Sequence, residues 1–109
     1  MTKVKEVIKT VNSIFKKEGM CDKFADSLAK KFDNLDIPYE KIKIESTTKY
    51  IPSKKYDSIG TNGFHYGIKV GDVVYDNFNY ATGMNFQDWL DDMGYLGAGD
   101  DLLSWHIVS

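Results

Sequence analysis

Few side chains in this sequence could carry out covalent chemistry, and three of them fall in a suggestive order. Cys21 is the sole cysteine. It follows the helix-breaking Gly19 and precedes a helical pattern, so the spacing predicts a thiol at the first turn of a helix. The positive end of a helix dipole and its unbonded N–H groups favour thiolate over thiol, and thiolate is the nucleophilic form. The same N–H groups could hold a developing oxyanion. The alternative is that Cys21 packs inward as a small apolar residue, the common fate of a free cysteine. Asp22 is a good capping residue, but its charge opposes a thiolate next door.

His65 and Asp76 fall on two β-strand patterns joined by Gly71-Asp72, a two-residue turn signal. With that turn as the loop, Val70 faces Val73, Ile68 faces Tyr75 and Gly67 faces Asp76. Alternation then puts His65, Gly67 and Lys69 on the face that carries Val74, Asp76 and Phe78. His65 and Asp76 become diagonal neighbours, with Cβ atoms about 7–8 Å apart, and Gly67 places no side chain between them. A carboxylate so placed can fix one imidazole tautomer and stabilise its charged form, and the imidazole can take a proton from a thiol. A register slip of one residue would separate them. His106 lies in the last apolar run with no evident carboxylate companion and reads as structural.

The elements that must position these groups follow from periodicity. Val4, Val7, Ile8, Val11, Ile14 and Phe15 predict an amphipathic helix over 3–17. Phe24, Ala25, Leu28, Phe32 and Leu35 predict a second over 22–34, ended by Pro38. The period then changes to two. Ile42 and Ile44 mark a strand, 47–63 reads mainly as loop, and 64–70 and 73–78 form the hairpin. Asn85 can cap a short helix bearing Phe86, Trp89, Leu90 and Met93. A Gly-rich break precedes a last strand over Leu102–Val108. Helices followed by strands argue for α+β with an antiparallel sheet.

The chain has 109 residues and 42% hydrophobic residues, enough for one folded domain spanning 1–109. One cysteine excludes a disulfide-stapled scaffold. Residues 1–55 hold 13 Lys against 8 acidic residues, whereas 56–109 hold one Lys against 8 Asp, and there is no arginine. Paired hydrogen bonding to phosphate usually uses Arg, so only a Lys-lined N-terminal surface could hold nucleic acid, and no DNA partner is expected. No apolar run is long enough to span a membrane. The first residues lead into an amphipathic pattern and not a signal-peptide stretch. Neither metal-ligand spacing nor a phosphate-cradling Gly motif occurs, so no metal or cofactor is expected.

Cys21 with Asp22-Lys23-Phe24-Ala25-Asp26-Ser27-Leu28, the block Thr61-Asn62-Gly63-Phe64-His65-Tyr66-Gly67-Ile68-Lys69-Val70, then Val74-Tyr75-Asp76-Asn77, Gly83-Met84 and Trp89-Leu90 together resemble the papain-fold toxin domains. These form the C-terminal warheads of bacterial polymorphic and contact-dependent inhibition toxins. The resemblance covers nearly the whole chain from residue 20 onward, and Asn-Gly-Phe-His-Tyr-Gly is its most specific part. It implies a papain-like cysteine-peptidase fold, with Cys21 as nucleophile, His65 as base and then acid, and Asp76 as the orienting acid. It also implies a larger secreted or cell-surface carrier, delivery into the cytoplasm of a target bacterium, and a cognate immunity protein. Asn12, Asn62 and the Cys21 N–H are candidates for the oxyanion donor.

The resemblance leaves the substrate open. One reading is thiolate attack on an amide or acyl group of a target-cell protein, as in a peptidase, deamidase or acyl-transfer enzyme. A second is a toxic ribonuclease that cleaves tRNA on the same scaffold, with His65 as base on a 2′-hydroxyl. A third is a non-enzymatic binding or immunity-type domain in which the three residues are incidental.

Overall fold

A computed structural model describes residues 2–16, 20–47, 51–53, 57–60, 63–93 and 103–108. The first helix, α1 (Thr2–Lys9), is shorter than its periodicity predicts, and a 3-10 turn (Ser13–Phe15) follows. The reason is local. Thr10 Oγ1 donates back to the Val7 carbonyl, and the Asn12 side chain accepts from the Ile14 N–H, bonds that compete with helix continuation. Val4, Val7, Ile8 and Val11 are buried as expected, but the break resets the phase and leaves Ile14 49% exposed. Gly19, read as the stop, lies outside the described residues.

Helix α2 (Cys21–Asn34) buries Phe24, Ala25, Leu28 and Phe32 completely. Each such aromatic or leucine contributes roughly 1.5–3 kcal/mol on burial. The helix closes before Pro38: Asp36 takes a positive φ of 55°, and the Ile37 N–H reaches the Phe32 carbonyl at 2.9 Å, a Schellman closure. Leu35, expected on the apolar face, is the C-cap and is exposed.

The chain then builds a five-stranded antiparallel sheet in the order β6-β5-β4-β1-β7, from β1 (Glu40–Ser46), β4 (Phe64–Val70), β5 (Val73–Tyr75), β6 (Met84–Asn85) and β7 (Leu103–Ile107). Within the segment read as loop, β2 (Ile51–Ser53) and β3 (Asp57–Gly60) pair as a separate hairpin, and Ile51 is fully buried. The expected hairpin register holds, with Val70 opposite Val73 and Ile68 opposite Tyr75. Asn85 caps α3 (Phe86–Asp92) by accepting from the Gln87 N–H.

The sheet separates two apolar clusters. One holds α1, α2, Ile68 and Tyr75; the other holds Ile42, Ile44, Val74, Trp89, Leu90 and Met93. Alternation along β5 sends Tyr75 to the first and Val74 to the second. This is an α+β architecture with N-terminal helices on an antiparallel sheet.

Candidate active site

Cys21 is the first residue of α2 and is 6% exposed. Its N-cap is Met20, which contributes no side-chain hydrogen bond, so the first-turn N–H groups have no side-chain cap at that position. Asp22 lies in the first turn without capping the helix.

His65 lies on β4, opposite Ile44 of β1, and is completely buried. Its ring sits between Phe78 and Trp89, with centroids 6.4 and 6.0 Å away. The ring Nε2 bonds Asp76 Oδ2 at 2.9 Å. The other nitrogen, Nδ1, is buried with no partner in ordinary hydrogen-bond geometry, yet the Cys21 side chain is close enough to help raise the pKa of the ring. The thiol therefore sits as a looser neighbour of the imidazole than the carboxylate does.

Asp76 ends the hairpin differently from its sequence pattern. The alternation predicts a return strand to residue 78, but β5 stops at Tyr75. Asp76 Oδ1 accepts from the Phe78 N–H at 2.9 Å, from the Asn79 N–H and from Asn79 Nδ2. These bonds turn the backbone out of the strand. Oδ2 accepts from Trp89 Nε1 at 2.9 Å in addition to facing His65. Both carboxylate oxygens are thus occupied by donors.

Burial works against charge on both partners and is outweighed on both. For His65, burial lowers the pKa, but the hydrogen bond to Asp76, then Cys21, carry it up to about 9. For Asp76, burial raises the pKa, and the bond to His65 with its charge, then the Trp89 and Asn79 donors, hold it below the usual carboxylate value. The pair is a buried imidazolium–carboxylate at neutral pH.

Three contributors do more than the sequence assigns them. The sequence pattern places Trp89 only on the apolar face of α3, although a buried indole N–H requires an acceptor. Gly67 does more than clear a path: a Cβ there would lie 2.6 Å from Val74 Cγ1 and 2.8 Å from Trp89 Cζ2. The indole occupies the space that Gly67 leaves. Asn79, three residues after Asp76, follows an Asx-turn pattern that was visible in principle.

Asn12 is exposed and its side chain accepts from Ile14 N. Asn62 lies outside the described residues. His106 is exposed on β7, and its Nε2 lies 2.5 Å from Glu45 Oε1, a carboxylate companion brought in by strand pairing and missed in the sequence. Among the described residues no cluster of His, Cys, Asp or Glu is arranged to hold a metal ion, and no helix is long and apolar enough to cross a membrane.

A sequence model of papain fold toxin 2 matches residues 3–94. The chain belongs to the papain fold toxin 2 family. It is therefore a toxin domain on a papain-like scaffold, as the resemblance implied. The family match includes α1, α2, the hairpin and α3, and ends before β7. The chain matches no curated protein and no solved structure.

Proposed function

We propose that this papain fold toxin, taken as one domain over residues 1–109, is a cysteine-dependent enzyme that attacks an amide or acyl group in a target-cell protein. The observation that supports this most is the buried His65–Asp76 bond of 2.9 Å, with the second imidazole nitrogen not taken up by another hydrogen bond and Cys21 among the groups that raise the ring's pKa.

Cys21 is the nucleophile. In the resting site the proton is already on the imidazole, and the imidazolium is the counter-ion of a Cys21 thiolate. The thiolate sulfur attacks the carbonyl carbon, and the carbonyl π pair moves onto oxygen. The first-turn N–H groups of α2 are the donors best placed by chain position to meet that oxyanion. Collapse expels the leaving group, which takes the proton from His65, and leaves a thioester on Cys21. Water, or an acceptor nucleophile, then gives its proton to His65 and releases the acyl group. Asp76 keeps the ring oriented throughout. In the producing cell a cognate immunity protein neutralises the domain, which a larger secreted or cell-surface protein carries into the target bacterium's cytoplasm.

Inducible expression in bacteria tests the reading. The wild-type chain should arrest growth, Cys21→Ala and His65→Ala should each restore it, and total RNA should stay intact on a denaturing gel. Fragmented tRNA, with Cys21→Ala still toxic, would replace this reading with the ribonuclease one.

A further inference from the structure

We propose that a cavity between α1 and the loop after Asp76 binds a carboxylate-bearing segment of a polypeptide. The cavity has a volume of about 320 Å³ and is lined by Lys5, Ile8, Lys9, Lys16, Tyr80 and Ala81. Ile8, 2% exposed, gives it an apolar wall, and Lys16 Nζ stands 5.1 Å from the centre of the Tyr80 ring. Its described lining carries three positive charges and no negative one, in a chain of net charge −2.

The sheet lysines have carboxylates: Lys41 with Asp26, Lys43 with Glu45, Lys69 with Glu40. Among the described residues none of Lys5, Lys9 and Lys16 has such a partner, and Lys23, Lys30 and Lys31 likewise have no carboxylate in an ion pair. What sets Lys5, Lys9 and Lys16 apart is that they share one cavity whose described lining has no acidic residue. Lys5 and Lys9 stand four residues apart on α1, where like charges repel. An incoming anion relieves that repulsion, and a concave apolar wall strengthens its attraction.

Two short chain segments tie the cavity to the site. Tyr80 follows Asp76 by four residues, and Lys16 precedes Cys21 by five. At no more than about 3.6 Å per residue, these spans are within roughly 14 and 18 Å. A polypeptide with an acidic side chain here can present a bond within about five residues of it toward Cys21.

The lining favours carboxylate over a nucleic-acid backbone. Bidentate phosphate recognition uses Arg, and the chain has none. Single-stranded RNA also needs free aromatic faces for stacking, whereas Tyr80 is the one aromatic in the described lining and Lys16 lies over its ring. The choice of a polypeptide rests on the protein-directed reading above. Binding is therefore measured on the full chain carrying Cys21→Ala, where chemistry plays no part.

The probe is fluorescein-labelled hexaglutamate, followed by anisotropy at low salt, with labelled oligouridylate as the comparison. Lys5→Gln/Lys9→Gln/Lys16→Gln should weaken hexaglutamate binding at least about tenfold. Lys23→Gln/Lys30→Gln/Lys31→Gln, which removes the same charge elsewhere, should change it by less than about twofold. Unchanged far-UV CD shows that both variants fold; should the first triple variant lose its fold, Lys16→Gln alone replaces it, with an expected weakening of about threefold. Equal losses in both triple variants, or no binding, would overturn the proposal. So would oligouridylate binding more tightly than the peptide and alone depending on Lys5, Lys9 and Lys16, which would make the cavity a phosphate site.

Discussion

Trp89 Nε1 donates to Asp76 Oδ2, the same oxygen that His65 Nε2 engages, both at 2.9 Å. Two donors from different elements, α3 and β4, thus converge on one atom. The carboxylate ties the helix after the hairpin to the hairpin itself, so the orientation of the imidazole depends on a residue that does not touch it by hydrogen bond.

Trp89→Phe keeps an aromatic body over Gly67 and removes the donor. Loss of a hydrogen bond to a charged group costs about 1.5–3 kcal/mol, read as a lower urea midpoint at unchanged slope. With one donor gone the carboxylate becomes more basic, so the His65 pKa should rise further when followed by NMR. An unchanged His65 titration would mean that the indole bond does not tune the pair.

Gly67→Ala places a methyl 2.6 Å from Val74 and 2.8 Å from the Trp89 ring. Neither neighbour is the end of a flexible chain. Overpacking of this kind costs about 1–3 kcal/mol, and displacing Trp89 also weakens its bond to Asp76. Urea unfolding should show the loss, and the Trp89 indole N–H resonance should shift. Wild-type stability with an unmoved resonance would contradict the packing described here.

Stability should fall on both sides of a plateau. The His65 pKa is pushed up to about 9 from an ordinary 6.5. A raised histidine pKa gives stability that is full below about pH 6.5 and is lost as pH rises through about 9. At about 1.4 kcal/mol per pH unit, the alkaline loss is on the order of 3 kcal/mol. Asp76 has the opposite sign: its lowered pKa gives stability present above the ordinary 3.8 and lost as pH falls through the folded value. Unfolding free energies from pH 3 to 10 should show both limbs, and His65→Gln should flatten the alkaline one. A wild-type curve level from pH 6 to 10 would refute the buried ion pair.

Asp76→Asn replaces one accepting oxygen by an amide NH₂. If that group faces Oδ2's two donors, three donors crowd together; if it turns the other way, it faces the N–H groups of Phe78 and Asn79. Breaking a buried charge pair costs about 3–5 kcal/mol, so the melting temperature should drop sharply. A variant as stable as wild type would show that the donors around Asp76 contribute little.

The hairpin register was legible because Gly71-Asp72 set the turn and apolar residues alternated on both sides, so one register alone buried both sets. The burial of Phe24, Leu28 and Phe32 was legible for the same reason at helical period. What escaped was chemistry that depends on a partner distant in sequence. The fate of the Trp89 N–H requires knowing that α3 lies over Gly67, and the Glu45–His106 contact requires knowing that β7 pairs with β1. The strand end at Tyr75 and the break after Lys9 escaped for another reason. Asp76, Thr10 and Asn12 bond their own backbone there, and those local bonds override periodicity.

The central claim is that Cys21 and His65 act as one unit, and native-state alkylation addresses it directly. Iodoacetamide should label Cys21 of the folded chain at about pH 6.5, and His65→Gln should slow that labelling at least about tenfold, because the imidazolium that sustains a thiolate is gone. A thiol that reacts only when the protein is unfolded, or at the same rate in both proteins, would contradict the account.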